Sequence, residues 1–356
     1  MALTQESALQ ALRTVKDPEL MRDIVTLNMV KDVRVDGGHV QVTVELTTPA
    51  CPLKDVIERD VNQALRAAGA EQVTLNLTAN TRGPQGPRTD ALPQVKNIIA
   101  VGAGKGGVGK STIAVNLAVA LQRSGASVGL MDGDIYGPSI PTMLGIKGIP
   151  PRLRGNKIQP HHVHGIHAIT IGSLVEQDKP LIWRGPMAHG AFKQLMLDNT
   201  EWPELDYLVV DLPPGTGDVP LTLCQLLPLT GAVVVATPQQ VALDDAIRAV
   251  HMFQQLGAPV LGIVENMSYM PMPDGTIHDI FGRGGAEAAA KRLNLPFLGA
   301  LPLYTELRIN SDAGKPHANF EQNPQLREAL EHIAQQLAGQ VSKRNLQTPG
   351  PELNIT

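Results

Sequence analysis

The stretch 97–121, "NIIAVGAGKGGVGKSTIAVNLAVAL", decides the fold of this chain. An apolar run typical of a buried strand precedes its glycines, and a run with helical spacing follows them. Between them, "GKGGVGKS" matches the phosphate-loop pattern G-x-x-x-x-G-K-[ST] from Gly104 to Ser111. Such a loop turns its backbone N–H groups toward phosphate, and the following helix adds positive potential at its N-terminus. The pattern therefore predicts a nucleotide site on a strand–loop–helix unit.

The side chains of the loop have separate expected roles. Lys110 should reach the β- and γ-phosphates, and the Ser111 hydroxyl should ligate Mg²⁺. The pattern does not require the second lysine, Lys105. The residues that we expect to contact nucleotide are Gly104, Lys105, Gly106, Gly107, Val108, Gly109, Lys110, Ser111 and Thr112.

The same glycines also fit a second pattern. Gly102, Gly104 and Gly107 satisfy G-x-G-x-x-G, and Asp132 ends the next strand, where a dinucleotide-binding domain carries its ribose acid. That pattern is weak alone and does not need the run 109–111. We therefore prefer the phosphate loop, and a dinucleotide oxidoreductase is the lesser interpretation.

Acidic residues follow two further strand-like runs. "LMDGDIYGPS" carries Asp132 and Asp134, and "YLVVDLPPGTGD" carries Asp211. An acid at a strand end beside a phosphate loop can hold Mg²⁺ through water, which is the role expected for Asp211. Apolar runs alternate with helical segments throughout residues 95–340, and this alternation predicts a doubly wound, mostly parallel sheet in an α/β domain.

The rest of the chain divides into three segments. Residues 1–80 predict a small α/β N-terminal domain, with "DGG" as a hairpin turn. Residues 81–94 are rich in Pro and Gly and predict a linker, and residues 341–356 predict a flexible tail.

Composition narrows the class of protein. The net charge is −4 and aromatic residues make up 3%, which gives no reason to expect nucleic acid or an anionic membrane as a partner. Two cysteines are too few for a disulfide framework and suit a reducing compartment. With neither a signal peptide nor a long apolar run in view, we expect a cytoplasmic protein.

Several motifs together resemble the Mrp/ApbC family of iron–sulfur cluster carrier ATPases, relatives of nitrogenase iron protein and the ParA/MinD ATPases. The resemblance rests on "GKGGVGKST", "DGDIYGPS", "DLPPGTGD", "TPQQVALDDAIRAV", "ENMSY" and "DIFGRGG". "DPELMRDIVTLNMV" and "TTPACPLKDVI" resemble the small N-terminal domain of bacterial members. The resemblance implies a homodimer that hydrolyses ATP with Mg²⁺. It also implies that clusters, [4Fe–4S] above all, pass between scaffold proteins and apo iron–sulfur proteins.

The resemblance also implies roles for single residues. Lys105 would cross the dimer interface and stabilise charge on the partner's nucleotide, and Asp134 would position the attacking water. With Asp211, they form the expected catalytic set. Asn266 would read the adenine edge, and Pro238 lies in the "TPQ" loop expected near the nucleotide.

One departure from the family concerns the cluster ligands. Many members have C-x-x-C shortly after "NMSY", but here the stretch is "MPMPDGTIHDIFGRGG" without cysteine. His278 and Asp279 could supply nitrogen and oxygen ligands, although a solvated loop is the preferred interpretation. Cys51, before a proline at an apparent helix start, is a candidate cluster ligand, with capping or packing as an equal alternative. Cys224 is expected in the core.

The segment "HHVHGIH", 161–167, also raises a metal site as an alternative. Strand alternation would put His162 and His164 on one face, where they could share a metal ion. No carboxylate accompanies them in a recognisable zinc pattern, so a polar edge strand is preferred.

Two other functions remain open on the sequence. One is a ParA/MinD-like positioning ATPase acting on DNA or membrane, which the mixed charge of 324–345 argues against. The other is a nucleotide-gated scaffold that holds no stable cluster.

Overall fold

The computed structural model describes residues 3–18, 21–83, 92–134, 137–171, 190 and 192–347. Within these ranges the helices are α1 (Gln5–Leu12), α2 (Lys54–Ala67), α3 (Lys110–Arg123), α4 (Ile140–Met143), α5 (Asp218–Leu226), α6 (Gln240–Gln255), α7 (Gly285–Arg292), α8 (Thr305–Asp312) and α9 (Pro324–Gln347), with a π-helix (Lys193–Asp198) and a 3₁₀-helix (Pro316–Phe320). The strands are β1 (Lys16–Asp17), β2 (Arg22–Asp23), β3 (Val30–Asp36), β4 (His39–Leu46), β5 (Gln72–Ala79), β6 (Val95–Gly102), β7 (Val128–Asp132), β8 (Arg152–Arg154), β9 (Lys157–Gln159), β10 (His161–Val163), β11 (Ile166–Thr170), β12 (Leu205–Asp211), β13 (Gly231–Ala236), β14 (Val260–Asn266), β15 (Met270–Pro271), β16 (Ile277–His278) and β17 (Phe297–Leu301). None of the helices in these ranges is long and apolar enough to cross a bilayer.

An eight-stranded sheet in the order β10-β11-β7-β12-β6-β13-β14-β17 forms the large domain. Its strand pairs are parallel except β10 with β11. One buried cluster on this sheet includes α3 and α9, and the other includes α5, α6 and α7. The central strands are apolar on both sides because helices cover both faces. The predicted doubly wound fold is confirmed.

The N-terminal residues form a separate three-stranded sheet, β3-β4-β5, against α1 and α2. The predicted hairpin is present, with Asp36 paired to His39 across the turn. The parallel pairing of β4 with β5 requires a crossover, and α2 provides it. This domain buries its own apolar cluster, consistent with a small α/β unit.

Specific contacts join this N-terminal unit to the large domain. The Thr48 hydroxyl lies 2.8 Å from the hydroxyl of Tyr207 on β12, and both side chains are buried. Ala50 belongs to the same buried cluster as α3. Near the end of the first unit, the carbonyl of Arg82 accepts hydrogen bonds from Asn97 and Asn345, at 3.0 and 2.7 Å. Part of the predicted linker, 84–91, lies outside the described residues.

The last helix, α9, begins where the sequence predicts it but ends later than expected. It starts at Pro324, and the Asn323 side chain accepts from the Leu326 N–H at 3.0 Å, which is the predicted N-cap. It continues to Gln347, so the flexible tail expected from residue 341 does not begin there. The reason is burial, since Val341 and Asn345 are both packed against the domain. Residues 348–356 lie outside the described ranges.

Candidate functional site

The phosphate loop leaves β6 at Gly102 and enters α3 at Lys110. Gly107 and Gly109 have φ of 82° and 83°, a region that side chains rarely adopt. A Cβ on Gly109 would also lie 2.1 Å from Nδ2 of Asn266. The second motif glycine is therefore required by backbone conformation and by space.

Lys110 is held by acids from two other strand ends. Its Nζ lies 2.6 Å from Oδ1 of Asp211 and 3.8 Å from Oδ2 of Asp134. It also donates to the Ser111 hydroxyl at 3.2 Å. The Lys110 side chain is 6% exposed and that of Asp211 is 0% exposed, so this ion pair is buried. The Lys110 ammonium group thus lies at the carboxyl end of the central strands, where it would contact phosphates.

Asp132 and Asp211 are both buried, but their carboxyl groups have different neighbours. Burial, and then the charge of Asp211, raises the pKa of Asp132 well above its usual range. Its Oδ1 accepts from the backbone N–H of Asp134 at 3.1 Å, so Asp132 shapes the turn that presents Asp134. Burial also raises the pKa of Asp211, with Lys110 acting against that rise.

The oxygen atoms at this end of the sheet suit a magnesium ion. Oδ2 of Asp211 is buried and has no hydrogen-bond partner among the described residues. Ser111, whose hydroxyl lies beside Lys110, is the first residue after the motif lysine. A carboxylate oxygen and a hydroxyl beside bound phosphates are the hard oxygen ligands that Mg²⁺ prefers.

A cavity of about 230 Å³ lies over the loop and is lined by Lys105, Lys110, Ser111 and Asp134 among others. A second cavity of about 430 Å³ shares Asp134 and Pro214 with it and continues toward α5. Lys105 is half-buried and forms no ion pair with another described residue. Lys105 thus lines the cavity without an ion pair to a described residue, whereas Lys110 is paired with Asp211 and Asp134.

Asn266, at the end of β14, contacts the phosphate loop directly. Its side-chain amide donates to the carbonyl of Val108 at 2.8 Å, and the residue is buried. The structure gives it a contact that holds the loop, and adenine recognition by it stays a prediction. Pro238 lies between β13 and α6 and is buried, and its place beside nucleotide also stays a prediction.

Sequence reasoning missed Glu265, the neighbour of Asn266. Its fully buried carboxylate accepts from the N–H groups of Gly284 and Ala286, at 2.9 and 2.8 Å, and from the Ser268 hydroxyl. A carboxylate at the start of α7 is favoured by the positive end of that helix. Glu265 therefore closes the base of the segment 267–284, and an acid at the end of an apolar strand was the signal for it.

That segment carries the short hairpin of β15 and β16 in place of the family's cysteine pair. His278 and Asp279 are exposed. Among the described residues, no group of three or more His, Cys, Asp or Glu could hold a metal ion. The preferred interpretation, a solvated loop, agrees with this exposure.

The two cysteines lie in different environments, and no disulfide joins them. Cys51 is half-buried in the N-terminal unit, but α2 begins only at Lys54 with Leu53 as its N-cap. The expected place at the helix start is therefore wrong, because two residues, Pro52 and Leu53, separate Cys51 from the first residue of the helix. Cys224 is buried in α5, where burial raises the pKa of its thiol to about 12. Its predicted core position is confirmed.

The histidine segment is a hairpin at the sheet edge, not one continuous strand. His164 adopts φ of 52° in the turn between β10 and β11, which ends the alternation. His162 therefore lies opposite His167, with ring centroids 4.7 Å apart, and does not share a face with His164. Of the two strands, only β10 lies at the edge of the sheet, so the preferred interpretation of a polar edge strand holds for 161–163 alone, and the alternative in which His162 and His164 share a face is wrong.

Comparison with known proteins supports the same assignment over almost the whole chain. A family model described as NUBPL iron-transfer P-loop NTPase matches residues 94–338, and one described as iron–sulfur cluster assembly protein matches residues 5–75. An iron–sulfur cluster carrier protein of Synechocystis sp. is 49% identical over 348 residues, covering 96% of this chain and 98% of its own.

Solved structures resemble the large domain. A nucleotide-binding protein of Archaeoglobus fulgidus, solved with ADP, is 36% identical with a TM-score of 0.59, covering 67% of this chain and 93% of its own. The cell division ATPase MinD of Pyrococcus furiosus is 21% identical with a TM-score of 0.53, covering 68% and 98%, so it shows the fold alone. The near-complete match to the carrier protein agrees with the resemblance carried by the motifs. This chain belongs to the family of iron–sulfur cluster carriers built on an iron-transfer P-loop NTPase.

Proposed function

We propose that this chain is a Mg²⁺-dependent ATPase that works as a homodimer and carries iron–sulfur clusters to apo iron–sulfur proteins. The observation that carries the ATPase part is the buried Lys110–Asp211 pair at 2.6 Å, next to an Asp211 oxygen without a partner. A lysine and a metal-binding acid in contact at a phosphate loop are the groups that phosphoryl transfer requires.

Each acid and lysine of the site has one role in this proposal. Lys110 exchanges Asp211 for the β- and γ-phosphates when nucleotide enters. Asp211 and Ser111 would hold Mg²⁺, and the ion would neutralise charge on the phosphates. Asp134 lines both cavities and orients the attacking water. Asp132 keeps the Asp134 turn in place through the hydrogen bond that its Oδ1 accepts from the Asp134 N–H.

Lys105 is the residue that links hydrolysis to dimerisation. It is half-buried on the cavity wall with no ion pair to a described residue, so its ammonium group is available to a second copy. A cation brought to the γ-phosphate by the partner subunit stabilises the transition-state charge. Dimer formation and turnover therefore depend on the same side chain.

A comparison of two lysine variants tests this assignment. Lys110→Ala should weaken ATP binding strongly, because the phosphates lose their buried cation. Lys105→Ala should bind ATP like the parent but hydrolyse it slowly and dimerise poorly with ATP. The measurements are ATP affinity by calorimetry, phosphate release, and mass by light scattering. Parent-like turnover in Lys105→Ala would exclude a transition-state role for this lysine.

The cluster is cargo, and the thiols of one chain do not form the four-thiolate set that a [4Fe–4S] cluster takes. The sequence has two cysteines, and Cys224 is buried with a raised pKa. Cys51 is then the one candidate ligand in each subunit. We propose that the remaining ligands come from the second subunit or from the protein that gives or receives the cluster.

Anaerobic reconstitution with ferrous iron and sulfide tests the cargo. We expect absorbance near 400 nm and iron bound to the parent dimer and to a Cys224→Ser variant, the matched control. A Cys51→Ser variant should lose both signals. If the parent binds no iron, the chain is not a direct carrier, and the nucleotide-gated scaffold becomes the better description.

The positioning-ATPase alternative has weaker support. A cluster carrier at 49% identity matches both domains, whereas the similarity to MinD is 21% and limited to the fold. A cytoplasmic location, without nucleic acid or membrane as partner, remains part of the proposal and rests on composition.

A further inference from the structure

A pair of histidines outside the lining of the nucleotide cavity is built from two parts of the chain that are distant in sequence. His164 lies in the turn between β10 and β11, and His317 lies in the 3₁₀-helix that follows α8. Their Nδ1 atoms are 3.1 Å apart, and the ring centroids are 5.0 Å apart. The nucleotide site uses neither ring.

A hydrogen bond fixes which ring nitrogen of His164 carries the proton. Its Nε2 lies 3.1 Å from the carbonyl oxygen of Leu144, and a carbonyl only accepts, so Nε2 carries the proton. In the neutral ring Nδ1 is then a lone pair that points toward His317. A histidine that donates its outer N–H to a backbone carbonyl while its other nitrogen faces a second imidazole has the arrangement of a metal ligand.

The backbone around the pair is tightly constrained. His164 adopts φ of 52°, in the left-handed region that residues other than glycine enter uncommonly, although histidine does so more often than most. On the other side, a Cβ on Gly314 would lie 2.5 Å from Cα of Gly145, so the chain before His317 packs directly against the residue after Leu144. The two rings are therefore held in register before any ion arrives.

The separation of the nitrogens suits one metal ion. Two metal–nitrogen bonds of about 2.05 Å that end on atoms 3.1 Å apart enclose an angle of roughly 100°. This angle lies between the square-planar and tetrahedral values. We propose that His164 and His317 chelate a divalent transition-metal ion, such as Zn²⁺, through their Nδ1 atoms, with water completing the coordination. The ion takes the place of the proton that the two Nδ1 atoms otherwise share.

Binding would fix an element that is connected to the phosphate loop. The 3₁₀-helix also carries Asn319, whose amide donates to the Asn116 side chain on α3 at 2.9 Å. Asn116 in turn donates to the carbonyl of Thr112 at 2.8 Å. Metal at the histidine pair therefore stabilises the support of α3 without touching nucleotide.

The test is titration of the full-length, nucleotide-free protein with Zn²⁺ at neutral pH, followed by calorimetry and thermal melting. It is done in a Cys51→Ser, Cys224→Ser background so that thiols do not compete. We expect one site per chain and a higher melting midpoint with Zn²⁺. His317→Gln should weaken this site by more than about tenfold, since a glutamine amide can still donate to His164 but cannot replace the imidazole.

The other histidine pair gives the matched control. His162→Gln with His167→Gln should leave both the stoichiometry and the midpoint shift as in the parent. A second variant, His164→Asn, tolerates the left-handed turn and should lose the site as His317→Gln does. The proposal is overturned if the parent binds no Zn²⁺, or if both variants of the His164–His317 pair bind it like the parent.

Discussion

The Lys110–Asp211 pair makes a quantitative prediction about the nucleotide-free protein. We consider Lys110→Met, Asp211→Asn and the double variant. The Nζ–Oδ1 distance of 2.6 Å corresponds to roughly 6 kcal/mol of attraction at an effective dielectric constant of about 20. Removing one partner of a buried pair typically costs about 3–5 kcal/mol, because the other charge stays buried. The double variant removes both charges of this pair, and Asp134, 3.8 Å from Nζ, loses the lysine in Lys110→Met and in the double variant alike. The sum of the two single losses should therefore exceed the double loss by about 1–3 kcal/mol.

The loss in Lys110→Met should also depend on pH. Burial already raises the pKa of Asp211, and removing the lysine takes away the charge that opposes this rise. A carboxyl whose folded pKa lies above its unfolded pKa binds a proton more tightly when folded, so stability falls as pH rises between the two values. Lys110→Met should therefore be more destabilised, relative to the parent, at pH 8 than at pH 5.

Urea denaturation at 25 °C measures these free energies, and an exposed pair provides the control. Arg308 and Asp312 on α8 form an ion pair at 2.9 Å, with both side chains 66% exposed. The same cycle there should give a coupling below about 1 kcal/mol, since solvent screens the charges. If the Lys110 and Asp211 losses add within about 0.5 kcal/mol, the two side chains are not paired in the empty site, and the reasoning is refuted.

Three further substitutions have defined outcomes. Burial raises the pKa of Asp132, so stability should fall as pH rises above the unfolded pKa, and Asp132→Asn should remove that loss. The melting midpoint of the empty protein should therefore gain more from Asp132→Asn at pH 8 than at pH 4, and an equal effect at both would contradict a raised pKa. Asn266→Ala removes the hydrogen bond to Val108 and should weaken ATP about tenfold in calorimetry; an equal loss for GTP indicates loop support alone, and a loss confined to ATP indicates adenine recognition. Tyr207→Phe leaves the buried Thr48 hydroxyl without its 2.8 Å partner and should cost about 1–3 kcal/mol in urea denaturation, whereas an unchanged free energy would show that this contact adds nothing to docking.

The nucleotide site could be predicted because its information is local. Strand, glycines, lysine and serine follow one another between residues 97 and 121, and the φ values of Gly107 and Gly109 are those that the motif requires. Acids at the ends of parallel strands meet at one edge by topology, so Asp134 and Asp211 were expected beside Lys110. The spacing of the motifs does not tell which of the two acids contacts Lys110, because that depends on distances in the folded chain.

Features that depend on distant parts of the chain were not predictable. The partner of His164 is His317, which is 153 residues away, and a left-handed turn at His164 overrides the strand alternation. The contacts that extend α9 past residue 340 come from Asn97 and the carbonyl of Arg82, beyond any local helix signal. Glu265 stabilises a helix that begins twenty residues later, so its role became clear only from the fold.

The docking of the N-terminal unit sets how ATP and cargo can influence each other. Helix α3 runs from Lys110 to Arg123, about 20 Å at 1.5 Å per residue, and a Cβ on Gly125, just past its end, would lie 3.7 Å from the Cβ of Pro49. The loop that bears Cys51 thus contacts one end of α3, and the phosphate loop lies at the other end of the same helix. In the proposed function, control of the cargo by ATP would take the form of a tilt or shift of α3 against the sheet, since this helix links the two loops.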